Sequence, residues 1–148
     1  MKDTSNLLEY NQWSAGDYSN DLTGITNRYD TTSITTSENI YSTTGENSIH
    51  VKSLNTDFKA VDIGPFDVLA NETYVLTADV INKNASNVQL RLNEPGVGNS
   101  TVSISMSNVW NNFFISRTVE QNGSLLIRLV VQSIGDVYID NILLKQLP

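Results

Sequence analysis

The sequence predicts an all-β protein, an antiparallel β-sandwich, on three observations. Apolar residues recur with period two in segment after segment, and no segment carries a helical stripe. Turn-forming residues separate those segments at short, regular intervals. Ser, Thr and Asn are frequent, and these residues favour strands, turns and caps over helix interiors.

The elements follow in order. Asn6-Leu7-Leu8-Glu9-Tyr10-Asn11-Gln12-Trp13 reads as a short apolar strand broken by amides and an acid, with Gly16 just beyond it. The stretch from Asp17 to Ser37 is rich in Asp, Asn, Ser and Thr, with few aliphatics beyond Leu22, Ile25 and Ile34. It reads as a long excursion with one or two short strands over the edge of the sandwich. Ile49 and Val51 then alternate with His50 and Lys52, and Tyr74, Leu76, Ala78 and Val80 alternate with Val75, Thr77 and Asp79. Val88, Leu90 and Leu92 alternate with Gln89 and Arg91, and Val102, Ile104 and Met106 with Thr101, Ser103 and Ser105. Phe113 and Ile115 alternate with Phe114 and Ser116. The segment from Leu125 to Val131 is apolar at nearly every position, which predicts a central strand covered on both faces. The last strand reads Gly135-Asp136-Val137-Tyr138-Ile139-Asp140-Asn141-Ile142-Leu143-Leu144. The separating turns are Thr44 to Asn47, Gly64-Pro65, Ala70 to Glu72, Lys83 to Ser86, Glu94 to Gly96, Gln121 to Gly123 and Ile134-Gly135. The first and last strands are alike in pattern, and pairing them would close the sandwich.

Composition narrows the function. The 148 residues suit one domain, residues 1–148, with a sizeable core. A net charge of −7 with scattered basic residues argues against nucleic acid, whose phosphates demand clustered Lys and Arg. No apolar run is long enough to span a bilayer, so no membrane insertion is expected. Cysteine is absent, which excludes disulfides, thiol nucleophiles and zinc–thiolate sites. Only one histidine exists, His50, and it sits within an alternating strand, where a surface or packed role is expected over a catalytic one. No nucleophile elbow or phosphate-cradling glycine loop is present, and nothing singles out a glycosidase pair among the carboxylates. A non-enzyme is the expectation.

Four segments together resemble the carbohydrate-binding modules of families four, nine, sixteen and twenty-two. They are the Asn6-Leu7-Leu8 opening, Gly45-Glu46-Asn47-Ser48-Ile49-His50-Val51, Thr73 to Val80, and Trp110 followed by Phe113-Phe114-Ile115. The closing Tyr138-Ile139-Asp140-Asn141-Ile142 strand adds to the resemblance, which implies a jelly-roll sandwich that binds carbohydrate without catalysis. It also implies a structural Ca²⁺ where the chain ends meet, held by Asp140 and backbone carbonyls, because calcium takes several hard oxygens; Glu46, before the Ile49 strand, is the candidate for a second carboxylate. The acid that these families carry after the N-terminal aromatic is Ser14 here. Without that carboxylate, Asp140 could instead accept backbone N–H groups of the first strand.

Aromatics and amides mark the expected ligand contacts. A sugar ring offers an apolar C–H face to an aromatic and hydroxyls to amides, guanidinium and carboxylate groups. Tyr18, Tyr29 and Tyr41 fall outside a clear core register, as do Phe58 and Phe114. Gln89 and Arg91 project from the face opposite Val88 and Leu90. Trp110 is a further candidate, although its place in the resembling families is often structural packing, as is that of Trp13. The expected partner is a polysaccharide or cell-surface glycan. The expected setting is a larger extracellular or cell-surface protein. The rival expectation is a structural or adhesion module of a microbial surface protein or phage tail, hence a virion.

Overall fold

The computed structural model describes residues 25–28, 32–37, 48–56 and 59–148, which form ten strands and no helix. The strands are β1 (Ile25–Arg28), β2 (Thr32–Ser37), β3 (Ser48–Ser53), β4 (Lys59–Val68), β5 (Thr73–Asn82), β6 (Val88–Glu94), β7 (Gly98–Ser103), β8 (Asn111–Thr118), β9 (Gly123–Val131) and β10 (Gly135–Gln146). They make two five-stranded sheets. Sheet I runs β1-β4-β9-β6-β7 and sheet II runs β2-β3-β10-β5-β8. Every pairing is antiparallel. Most connections cross from one sheet to the other, which is the wiring of a jelly roll.

The core is the sum of the inward-facing alternations. Ile49 and Val51, Tyr74 to Val80, Val88 to Leu92 and Leu125 to Val131 each send every second side chain into one cluster. Ile139, Ile142 and Leu144 complete it from β10. β9 lies at the centre of sheet I, as expected of a strand apolar on both faces. β1 and β2 are edge strands of opposite sheets, as expected of the polar excursion.

The turns follow their residues. Val97 N–H donates to the Glu94 carbonyl at 3.0 Å, with Pro95 at the second turn position and Gly96 at a φ of 78° in the third. This is a type II turn, and it joins β6 to β7 as a tight hairpin. Gly64-Pro65 is different. Instead of ending a strand, it forms a bulge inside β4, where the register to β9 slips between Ile63 and Phe66. The strand read over Val102 to Met106 also shifts. β7 ends at Ser103, Ile104 is buried beyond it, and Met106 is exposed. Ile104 N–H donates to the Val88 carbonyl, which holds the residue in the core without continuing the strand. The expected pairing of the first strand with the last lies outside the described residues.

A polar staple joins the sheets at one end. The carboxylate of Glu94, at the end of β6, accepts bonds from Arg117 Nε at 3.0 Å and Nη2 at 2.8 Å on β8. It also accepts the backbone N–H groups of Glu120 and Gln121. A Cβ at Gly98 would lie 3.3 Å from Arg117 Nη2, so the missing side chain leaves room for the guanidinium. Burial works to raise the Glu94 pKa, but the Arg117 bond and the two amides outweigh it and hold the carboxyl below its ordinary value.

Candidate functional site

The outward side of sheet I reaches solvent along β6 and β7 and is buried along β4 and β9, and its register dictates which side chains meet. β6 alternates strictly, so Val88, Leu90 and Leu92 enter the core while Gln89, Arg91 and Asn93 point away from it. Arg91 stands opposite Thr101 on β7 and opposite Arg128 on β9, and Arg128 stands opposite Asp62 on β4. One row therefore crosses four strands as Thr101, Arg91, Arg128 and Asp62. The neighbouring row carries Ser103, Gln89, Val130 and Ala60.

The row is rigid. Arg128 clamps Asp62 with two parallel bonds, Nε to Oδ1 at 2.7 Å and Nη2 to Oδ2 at 3.1 Å. Both residues are buried although they lie on the outward side, at 8% and 6% exposure. A buried ion pair of this kind is worth little net but is costly to break. Two guanidinium groups facing each other on adjacent strands repel, and the Asp62 carboxylate offsets one of them. Arg91 Nε donates to Gln89 Oε1 at 3.0 Å, which aligns the amide and the guanidinium along the strand. On β7, Thr101 Oγ1 donates to Asn99 Oδ1 at 2.7 Å, and both side chains are exposed. The β6 and β7 part of the face thus presents donors and acceptors that are aligned by their mutual bonds.

The expected site residues separate. Gln89 and Arg91 lie side by side on this outer face, as their alternation implied. Trp110 is half-buried and leads into β8, in the opposite sheet. Tyr18, Tyr29, Tyr41 and Glu46 lie outside the described residues, as do Trp13 and Phe58. Asp140 lies in β10 and is fully buried. Among the described residues, no three His, Cys, Asp or Glu side chains come together as a metal site. His50 is packed against its neighbours. Its Nε2 lies 2.8 Å from Asp136 Oδ1, and its ring stacks on Tyr138 with centroids 4.4 Å apart.

The Asp62–Arg128 pair was not anticipated from sequence. Its one local signal is an arginine inside an otherwise apolar strand, which demands a partner when buried. Phe114, an aromatic outside the core register, is 62% exposed.

No protein-family model matches the sequence, and no curated protein matches it. Solved structures do match in shape. The CBM22-1 xylan-binding domain of Paenibacillus barcinonensis Xyn10C superposes with a TM-score of 0.70 at 14% identity, covering 99% of this chain and 97% of that one. TmCBM61, solved with β-1,4-galactotriose, gives 0.67 at 15% identity over 95% and 98% of the two chains. The enzymatically active domain of tailspike protein 4 of bacteriophage CBA120 gives 0.72 at 15% identity over 90% of this chain, which spans 21% of that one. Identities this low establish shape alone, and the shape is the jelly-roll β-sandwich of carbohydrate-binding modules.

Proposed function

We propose that this domain is a non-catalytic carbohydrate-binding module that docks glycan on the outer face of sheet I. The observation that carries the proposal is the solvent-reaching strip of Gln89, Arg91, Asn99 and Thr101 on β6 and β7, seated beside the buried Arg128–Asp62 pair. These groups match sugar hydroxyls as donors and acceptors. Their mutual bonds and strand positions fix them before ligand arrives, so the ordering cost of binding stays low. Hydroxyl recognition needs no net charge, which suits an acidic chain. Tyr18, Tyr29 and Tyr41 remain the proposed stacking partners. A single shallow face of this kind binds on the order of micromolar to millimolar and gains through multivalency, as a repeated module of a larger extracellular or cell-surface protein would.

Structural Ca²⁺ remains part of the proposal. Asp140 supplies one buried carboxylate, and Glu46 with main-chain carbonyls would complete an oxygen shell. The described residues alone do not make that shell. The ion would tie chain segments together and take no part in ligand chemistry.

The tailspike likeness supports a second reading, an adhesion or spacer module of a phage tail and thus of a virion. Affinity electrophoresis through gels of xylan, β-1,4-galactan and mixed-linkage β-glucan separates the two. A binding module is retarded in at least one gel, and Arg91→Ala restores its mobility without altering its melt. A spacer migrates alike in every gel.

A further inference from the structure

We infer that Asn122-Gly123 is a self-modifying site, at which the Gly123 backbone nitrogen displaces the Asn122 side-chain amide as ammonia and water then converts the residue to aspartate and isoaspartate. The site stands apart from any glycan docking on sheet I, because it lies in the turn between β8 and β9.

Asn122-Gly123 is the only Asn-Gly pair in the chain. The reaction needs an uncrowded attacking residue and a polarised side-chain carbonyl. Gln121, Asn122 and Gly123 are all exposed, so water and base reach them. Gly123 carries no side chain, and a Cβ built there would meet nothing within 4 Å beyond its chain neighbours.

The carbonyl is polarised by the neighbouring turn. Ala70 N–H donates to Asn122 Oδ1 at 2.8 Å. That bond draws electron density from Cγ and stabilises the oxyanion that forms there, as a donor of an oxyanion hole does. The donor is held in place. Leu69 to Glu72 form a turn closed by Glu72 N–H on the Leu69 carbonyl at 3.3 Å, with Asn71 at a φ of 66° in its third position, which makes it type II. Two more backbone bonds lace this turn to the next one, from Asn71 N–H to the Val119 carbonyl and from Val119 N–H to the Glu72 carbonyl.

The step balances with water as the one co-reactant. The Gly123 amide gives its proton to solvent base, its nitrogen bonds to Cγ, and the bond from Cγ to the side-chain nitrogen breaks as ammonia leaves. The product is a succinimide. Water opens it at Cγ to give aspartate, or at the Asn122 backbone carbonyl to give isoaspartate, whose main chain runs through Cβ and Cγ. Nothing is oxidised or reduced.

The turn is a sensitive place for that change. The N–H groups of Glu120 and Gln121 hold the Glu94 carboxylate of the inter-sheet staple, and Gly123 opposite Val68 stands at one end of the ladder from β9 to β4. Isoaspartate lengthens the main chain by a methylene between those two fixed points. It also takes Oδ1 away from Ala70 and adds a carboxylate next to the amide of Gln121. The modified molecule is looser at this end of the sandwich.

The test incubates folded protein at neutral and mildly alkaline pH and reads position 122 by peptide mass spectrometry, with enzymatic methylation to count isoaspartate. Aspartate and isoaspartate should accumulate at Asn122 ahead of Asn99, whose following residue Ser100 carries a side chain within β7, and faster at the higher pH. Gly123→Ala, whose methyl enters open space, should slow the reaction by about tenfold or more, a barrier raised by about 1.4 kcal/mol. Ala70→Pro removes the donor at a turn position that favours proline, and should slow it about fivefold, the rate equivalent of one ordinary hydrogen bond. The purified isoaspartyl form should melt about 3 °C or more below the fresh protein. Melts taken before incubation confirm that both variants are folded. Asn122 intact when Asn99 has reacted, or equal rates in wild type and Gly123→Ala, overturns the site. An Ala70→Pro rate equal to or above that of wild type overturns the activation by Ala70. An isoaspartyl form that melts like fresh protein overturns the loosening.

Discussion

Replacing Glu94 by glutamine tests whether the inter-sheet staple closes the sandwich as described. The side chain is 3% exposed and its carboxylate accepts four bonds, two from Arg117 and two from backbone amides. Glutamine can still accept the backbone bonds through its oxygen. Its NH₂ group then faces the Arg117 guanidinium, donor against donor, and the guanidinium keeps a nearly buried charge with only the distant Glu120 carboxylate, at 3.9 Å, to offset it. Removing one partner of a buried pair costs about 3–5 kcal/mol. At about 3 °C per kcal/mol for a domain of this size, the melting temperature should fall by about 9–15 °C. Adding Arg117→Met removes the stranded charge, and the double variant should recover more than half of that loss. Differential scanning calorimetry at neutral pH measures both. A Glu94→Gln melt equal to wild type, or a double variant that loses the sum of the two single losses, would refute the reasoning. The pH dependence carries the same sign. The Glu94 carboxyl titrates below its unfolded value, so its contribution is fully present above the ordinary glutamate range. It is lost as pH falls through the depressed folded value. The wild type should therefore lose more stability than Glu94→Gln on acidification below about pH 4.5.

Further outcomes follow from other positions. Gly135→Ala should destabilise strongly, because its φ is 156° and a Cβ there would lie 2.8 Å from the Ala85 Cβ and backbone nitrogen; a melt like wild type would contradict that close approach. Asp62→Asn should lower the melt by about 3–5 kcal/mol of stability through the stranded Arg128, and a near-neutral change would mean the pair is solvated. EDTA in metal-stripped buffer should lower the melting temperature if Ca²⁺ sits at Asp140, and an unchanged melt removes the ion.

The sandwich was largely legible in the sequence because its strands alternate cleanly. β5, β6 and β9 each declare their inward face by period two, and the apolar outer face of β9 declares its central place. β4 was harder. Gly64-Pro65 reads as a turn, yet pairing to β9 on both sides carries the strand through it as a bulge. β7 ends earlier than its alternation suggests because Ile104 is held in the core by its N–H bond to Val88 and by the Asn82 amide on its carbonyl, after the strand has ended. In the site, Gln89 and Arg91 were legible because they share one short strand. Asp62 and Arg128 were not, since 66 residues separate them and only sheet register brings them together. The bonds from Asn112 and Asn141 to the buried Asp79 were hidden for the same reason, with the added need for a bulge at Asn141 that no local pattern announces.

Isothermal titration of soluble oligosaccharides into wild type and Arg91→Ala, with Gln89→Ala as a second variant, probes the glycan-docking face of sheet I most directly. The account predicts measurable heat with at least one neutral oligosaccharide, and a loss of tenfold or more in affinity for it in both folded variants. Equal affinity in all three proteins, or no heat from any sugar, would contradict it.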